Sequence, residues 1–493
     1  MFHAMNIIKK KEQQMSAIIK TISYLKRNGI KNTCDTIMER LDSVHLEPIQ
    51  KELKGYEGCL HYANKEREAN QIQLRQEQMN RQFSSSYSFS IIVPAYETNE
   101  KYLIQMIDSV MLQTYTKVEL VIADASKSDH VEQIVKKYVE ENLPEIKKEN
   151  KKRVVSYDDT YPKLQYIRLE KNDGIANNTN VALEAATGDY IGLLDHDDAL
   201  TYDALYEVMQ ELEQKDYDMI YTNEDKGDGE LSRFFEPNIK YRFNLEKLLS
   251  NNYICHFTVI KASIIKELTF RKEYDGAQDY DMFLRVVSHL CKQYQVQEEQ
   301  NGIHYYLRQH IGHVDQILYH WRCHENSTAA NPESKRYAYE AGKHALQDFC
   351  DKNGMEARVE HSEHLGYYKL NLRSDLWKTS TDIGAFCGKV TKGNKVVGGP
   401  VVDGREILVG LKKSYSGYMN QGDFSLMVDE MDERAACFHP RYHRIFEELA
   451  KEGKPLSFSE KMSYVKEQGD VFVFLHDFDK QEEQLHENYS YHS

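Results

Sequence analysis

No stretch of this 493-residue sequence approaches the roughly eighteen consecutive apolar residues that a membrane-spanning helix needs. The opening Met1-Phe-His-Ala-Met-Asn6 meets charges at Lys9 to Glu12, which leaves no signal-peptide core. The eight cysteines are scattered without a C-x-x-C pair, the pattern of reduced, buried thiols in a cytosolic protein. Prolines number only 9 against 34 tyrosines, which argues against a long disordered chain. A basic face is lacking as well: the net charge of −15 excludes general nucleic-acid binding, so no nucleic-acid partner is expected. No Gly-rich loop opens the chain, which removes the support for a nucleotidyltransferase.

What is present is length enough for two or three domains and a large core. The most telling stretch is Tyr190-Ile-Gly-Leu-Leu-Asp195-His196-Asp197-Asp198. Its apolar half reads as a buried strand that delivers three carboxylates to one strand end. Such a cluster is costly inside a fold unless a cation or basic group neutralises it. Alternate positions on an extended chain point the same way, so Asp195 and Asp197 can share one ion. Hard carboxylate oxygens suit Mg²⁺ or Mn²⁺, which work together with substrate phosphates. Asp198 serves equally as a cap for a helix starting near Thr201. His196, on the other side of the strand, reads as exposed or packed.

Similar strand ends recur upstream. Phe89 to Val93 reads as a central strand ending in the turn Pro94-Ala95-Tyr96-Glu97. Lys101 to Gln113 places Leu103, Met106, Ile107 and Val110 at helical spacing. Val118 to Ile122 reads as a second strand ending in Asp124, and Leu164 to Leu169 as a third. Asn172-Asp-Gly174-Ile175 follows, then a helix over Thr179 to Ala186. This alternation predicts an α/β fold with a mostly parallel, doubly wound sheet, whose ligands sit beyond the C-terminal strand ends.

The chain here resembles the inverting family 2 glycosyltransferases with a GT-A fold. The resemblance rests on Ile91 to Tyr96 (IIVPAY), Val121 to Ser126 (VIADAS), Asn172 to Asn180 (NDGIANNTN), Ala186 to Asp198 (ATGDYIGLLDHDD), Tyr221 to Lys226 (YTNEDK), Gly276 to Arg285 (GAQDYDMFLR) and Leu318 to Ala329 (LYHWRCHENSTA). Their order and spacing resemble the bacterial subgroup that builds O-antigen, capsule and rhamnan-type surface polysaccharides. The resemblance covers about residues 88 to 355. Any one motif is ordinary; the ordered set is specific.

The resemblance implies a metal-dependent transferase of hexosyl or rhamnosyl type, using Mg²⁺ or Mn²⁺. Its donor would be a nucleotide-diphosphate sugar of UDP or dTDP type, and its acceptor lipid-linked or polysaccharide. Pro94, Ala95, Tyr96 and Glu97 would face the nucleotide, with Asp124 at the base, although Asp124 also reads as a helix N-cap. Gly174 would permit a positive φ or a close approach to the nucleotide. Asn180 stands, with Asn178 and Thr179, where many relatives carry an Arg. Asp197 would be the direct metal ligand and Asp195 its support through the ribose or metal waters. Arg322 would meet the diphosphate with its planar donor fork. His324 would ligate the metal or bond the β-phosphate. Asp279 would be the general base at a helix start, with Asp281 second in line. In the first turn of a helix both Asp residues also complement the dipole. Gln278 departs from the family's acidic residue. Glu224, Asp225 and Trp321 would lie on the acceptor side. A catalytically silent, nucleotide-sugar-binding subunit of a polysaccharide assembly is the competing reading.

Three regions are expected. Residues 1–86 form a helical extension, with Met15, Ile18, Ile19, Ile22 and Leu25 at helical spacing and a small basic excess. It packs on the catalytic domain or docks on a membrane surface or partner. Ser84 to Ser88 reads as the linker. Residues 87–355 form the catalytic domain. Residues 356–493 resemble the acceptor half of a second transferase domain without its D-x-D, a degenerate region for packing, assembly or acceptor binding. A cytoplasmic place, at the inner face of the membrane if the acceptor is lipid-linked, and a homo-oligomer or assembly complex complete the expectation.

Overall fold

A computed structural model describes residues 75–142, 154–157, 161–297, 302–323, 336–372, 382–413, 416–476 and 480–481. The helices expected before residue 75, and His324, lie outside the described residues.

Apolar runs become strands, and helical spacing becomes covering helices. β1 (Phe89–Ala95) is followed by α1 (Glu100–Met111), whose start is capped by the Asn99 side chain accepting from the Lys101 amide at 3.0 Å. Leu103, Met106, Ile107 and Val110, singled out by spacing, are all buried. β2 (Val118–Asp124) and α2 (His130–Asn142) follow, then β3 (Val154–Tyr157) and β4 (Lys163–Arg168). α3 (Ile175–Ala185) leads into β5 (Tyr190–Leu193), β6 (Ala199–Leu200) and α4 (Ala204–Gln214).

The second half brings β7 (Met219–Gly227), β8 (Phe234–Asn238), β9 (Thr258–Lys261), α5 (Ala262–Leu268) and α6 (Gln278–Gln297). α7 (Ile303–His310) feeds β10 (Ile311–Arg322), and α8 (Arg336–Lys352) precedes the hairpin β11 (Ala357–His361) and β12 (Tyr368–Leu372).

Ten strands form one sheet in the order β3-β4-β2-β1-β5-β9-β7-β10-β6, with β8 on β7. β4, β2, β1 and β5 run parallel, as do β7 and β10. β9 enters antiparallel between β5 and β7. The chain moves outward from β1 to β2 and β4, then returns to the other side of β1 as β5. That reversal opens a crevice beyond the C-terminal ends of β1 and β5. Ile91 and Val93 feed the core under α1 and α2, while Ile92 points into the opposite core under α3 and α6. Helices therefore cover both sheet faces, the α/β GT-A architecture.

The expected boundary at residue 355 precedes the β11–β12 hairpin, yet its buried Ala357, Val359 and Tyr368 sit in the first core. Packing places the hairpin with the domain expected over residues 87–355. Strands Leu426–Val428, Val471–Phe474, Ile383–Cys387 and Ala436–Phe438 then form a separate four-stranded sheet. Helices Pro440–Lys451 and Phe458–Glu467 cover it. This unit is bolted to the first. The Asn244 amide donates to the Met427 carbonyl and accepts from its N–H, both at 3.0 Å, and the Tyr241 hydroxyl donates to Gln421 at 2.8 Å. His304 Nδ1 lies 2.9 Å from Asp382.

The stretch read as a linker is also pinned: the Ser84 amide donates to Glu213 at 2.7 Å and the Ser88 amide to Asp189 at 2.8 Å.

Candidate functional site

The crevice holds a cavity whose apolar floor is Ile92, Leu193 and Leu194 and whose polar wall is Asp195, His256, Gln278 and Asp279. Pro94 and Thr179 complete it. Five elements meet there: the ends of β1 and β5, the first turns of α3, the start of α6, and the turn before β9.

Asp279 stands in the first turn of α6, where the backbone of Gly276 donates to Gln278 Oε1 at 2.8 Å. Gln278 thus closes the helix start in place of an acidic side chain. The Asp279 carboxyl is pushed up to about 6, by burial first and by the charge of Asp195 next. His256, and hydrogen bonds from Cys255 and Gln278, act in the opposite direction.

Asp281, the alternative base, lies elsewhere. It is buried and engaged by Arg271, through Nε at 3.1 Å and through Nη2, and by Arg285 Nε at 2.9 Å. Two guanidinium groups occupy the carboxylate that would have to accept a proton, so its place is structural.

The turn after β5 carries the three carboxylates. Asp195 and Asp197 are half-buried, while Asp198 is buried. Asp198 caps no helix, since α4 begins only at Ala204; instead it accepts from the Tyr319 hydroxyl at 2.5 Å and the Arg322 amide at 2.7 Å. Burial raises its proton affinity well above the ordinary carboxylate range, and the charges of Asp197 and Asp195 add to this. Asp195 and Asp197 lie close enough to Asp198 for their charges to act on it, and Arg322 supplies counter-charge to Asp198 and Asp197. His196 Nδ1 lies 2.9 Å from the Thr98 hydroxyl.

Arg322, expected to meet the diphosphate, is on β10 and fully buried. Its Nε donates to the Asp197 carbonyl, and its Nη1 donates to Gln105 at 2.9 Å and to the Gly229 carbonyl at 2.8 Å. The guanidinium also stacks on Tyr102, 4.4 Å from the ring centre. The structure makes Arg322 a clamp beneath the Asp197–Asp198 turn. Burial explains the difference: β10 continues through residue 322, which carries the side chain under the turn.

On the nucleotide side, Asp124 is buried and accepts from the Tyr166 hydroxyl at 2.6 Å, Arg168 at 2.5 Å and the Ser126 amide at 2.8 Å. It is no helix cap. Glu97, at φ 46°, accepts from the Lys127 amide at 2.7 Å, the Ser128 amide at 2.9 Å and the Ser128 hydroxyl at 2.6 Å. Those bonds hold its carboxyl below the usual range, Ser128 first. Together they join the β1 and β2 ends into one rim with Pro94, Ala95 and the exposed Tyr96. Gly174 has φ 93°, and a Cβ there would run into the Asp275 carboxylate, which caps α3 by accepting from the Ala176 amide at 2.9 Å. Asn180 is turned from the cavity: its amide bonds the Phe270 carbonyl at 2.8 Å and N–H at 2.7 Å.

On the acceptor side, Glu224 and Asp225 are interior residues of β7. Glu224 accepts from Asn238 at 2.9 Å and from the His256 amide. Asp225 lies 2.6 Å from His320 Nδ1. Trp321, half-buried, meets His256 edge-on at 6.0 Å and Lys226 at 5.7 Å.

His256, Cys255, Tyr319 and Lys240 escape the sequence reading. A signal existed, the apolar run Phe257 to Ile260. Only the antiparallel entry of β9 brings the residues before that run to the same end as the parallel strand tips.

A ten-stranded α/β sheet with carboxylates clustered at its switch point has them where open α/β sheets bind their ligands. Residues 90–269 match the family described as Glycosyl transferase family 2. The chain therefore carries a glycosyltransferase family 2 domain. It is 32% identical over 299 residues to the uncharacterized protein y4gI of Sinorhizobium fredii, covering 59% of this chain and 28% of that one. It is 26% identical over 284 residues to the O-antigen biosynthesis protein RfbC of Myxococcus xanthus, covering 56% of this chain and 19% of that one. The chain thus spans less than a third of either relative's length. Among solved structures, S. aureus TarS shares 18% identity over 54% of this chain and 40% of that chain, with a TM-score of 0.36. That likeness is too slight to bear on function.

Proposed function

We propose that the protein is an inverting, metal-dependent glycosyltransferase that extends a surface-polysaccharide or lipid-linked acceptor from a UDP- or dTDP-type sugar donor. The observation that carries this reading is the meeting of Asp279 and Asp195 in one cavity at the switch point of a family 2 domain. Asp279, raised toward neutrality, takes the proton of the acceptor hydroxyl as that oxygen attacks the anomeric carbon. Attack from the face opposite the leaving group inverts the configuration.

Among the described residues no group of three or more His, Cys, Asp or Glu could hold a metal by itself. Asp195 and Asp197 offer the one or two carboxylates that Mg²⁺ or Mn²⁺ takes alongside substrate phosphates, so the donor set fits such an ion. Bound there, the ion supplies counter-charge for the leaving diphosphate. Arg322 and Tyr319 hold the carboxylate turn in shape. Pro94 to Glu97 and Asp124 line the nucleotide side, and Trp321 the acceptor side.

The catalytic domain is 87–355 together with the hairpin that follows. The C-terminal unit braces it, in a role of packing or assembly. No described helix is long and apolar enough to cross a membrane. A cytoplasmic enzyme working at the inner membrane face matches a lipid-linked acceptor. Gln278 favours the silent-subunit reading to the extent that it lacks an acid, but its side-chain oxygen is engaged by the Gly276 N–H just before the helix.

A thermal-shift panel tests the proposal. UDP, dTDP and their sugars, with Mn²⁺, should raise the melting temperature through ligand linkage. No shift with any nucleotide would sink it.

A further inference from the structure

The turn 254–257 reaches the cavity from the acceptor side, and its contacts exceed what a connection requires. The Cys255 thiol lies between His256 and Asp279, 2.8 Å from His256 Nδ1 and 3.9 Å from Asp279 Oδ2. The His256 ring shares the cavity wall with Asp195 and Asp279. That ring lies flat on Tyr319, 4.7 Å between centres and 14° between planes, and Tyr319 is the residue that holds Asp198. Both backbone groups of His256 are also gripped. Its N–H donates to Glu224, and its carbonyl accepts from Lys240 Nζ at 2.5 Å.

Lys240 and Glu224 are themselves buried, with Nζ 3.7 Å from the carboxylate. A buried ion pair is a poor source of stability, because desolvation of both charges offsets their attraction. This one closes around a single residue, His256, holding the N–H of one peptide unit and the carbonyl of the next. Asn238 fills the remaining Glu224 oxygen at 2.9 Å, and the Ile254 carbonyl takes Lys240 Nζ at 3.4 Å. Neither charge is left over to meet a substrate.

We propose that His256 is the positioning residue of Asp279, and that the buried Glu224–Lys240 pair serves to hold it there. The proposal rests on the transferase reading above, and it moves Glu224 from acceptor contact to a supporting place. The His256 ring, fixed flat on Tyr319 and gripped at both backbone groups, forms the wall beside which Asp279 stands. Glu224 then acts only through His256.

That dependence separates the proposal from a merely structural role, because residues acting in series are not additive. The experiment compares wild type with His256→Ala, Glu224→Gln and the double variant. Turnover is read as nucleoside diphosphate released from the nucleotide sugar the wild type prefers, UDP affinity by calorimetry, and integrity by melting temperature. Each single change should lower kcat by about tenfold or more while donor KM and UDP affinity stay within about twofold, and the double variant should be no slower than His256→Ala. Should His256→Ala fail to fold, His256→Gln fills the space without the ring and carries the same comparison. Losses that multiply in the double variant, or an unchanged kcat in the His256 variant, would overturn the proposal. A wild type that releases nucleoside diphosphate from no sugar would defeat the transferase reading, and this proposal with it.

Discussion

Asp195 and Asp279 face one cavity from different elements, and the charge of the first, after burial, raises the proton affinity of the second to about 6. A carboxyl so placed is ionised at neutral pH yet basic enough to accept a proton.

Transfer should therefore fall on the acid side as Asp279 protonates, with a limb centred near 6 in a pH profile of kcat/KM for the free enzyme. A limb near 4, the ordinary carboxylate range, would mean another group is the base.

The same shift affects stability. A folded-state pKa above the unfolded one favours the native protein at low pH, and that contribution is lost as pH rises from about 4 through about 6. Asp279→Asn removes the buried charge. It should stabilise the protein at pH 8 by about 1–3 kcal/mol and have little effect near pH 4. Denaturant melts at both pH values check the sign.

Asp197→Ala, or chelation by EDTA, should abolish transfer and weaken donor binding, because the leaving diphosphate loses its counter-charge. Full activity in excess EDTA would remove the metal from the mechanism.

Arg322→Lys keeps the charge but not the fork that joins Asp197, Gln105 and Gly229. The change should cost about 1–3 kcal/mol in an unfolding titration, as other losses of buried hydrogen-bond networks do. If Arg322 met only the diphosphate, stability would be unchanged and only donor affinity would suffer.

Asn244 mimics a strand partner for Met427, and Tyr241 belongs to the core of the C-terminal unit. Cutting after residue 382 should leave an insoluble or unstable remainder. Rapid proteolytic release of a stable C-terminal fragment would show that the unit folds alone.

Much of the fold is legible in the chain, because apolar runs and helical spacing report burial directly. Val118 to Ile122 and Tyr190 to Leu193 form strands as read, and Met282, Phe283, Val286 and Val287 form the buried face of α6. The misses have a common cause in long-range contacts. α3 starts four residues before Thr179, because Gly174 bends and Asp275, a hundred residues away in sequence, caps the helix start. β10 runs on through Trp321 and Arg322, the residues expected at the acceptor and the diphosphate, because it pairs with β7 along its length. The carboxylates of the site announce themselves at strand ends. His256 does not, since only the direction of β9 brings it there.

The central claim, base catalysis of sugar transfer by Asp279, is tested most directly by one comparison. Wild type and Asp279→Asn are assayed for sugar transfer with Mn²⁺ and the donor found by the thermal-shift panel, with nucleotide affinity measured on both. The account predicts that nucleotide binding survives in the variant while turnover falls by at least about a hundredfold, the scale of a lost general base. Turnover that persists in Asp279→Asn would contradict it.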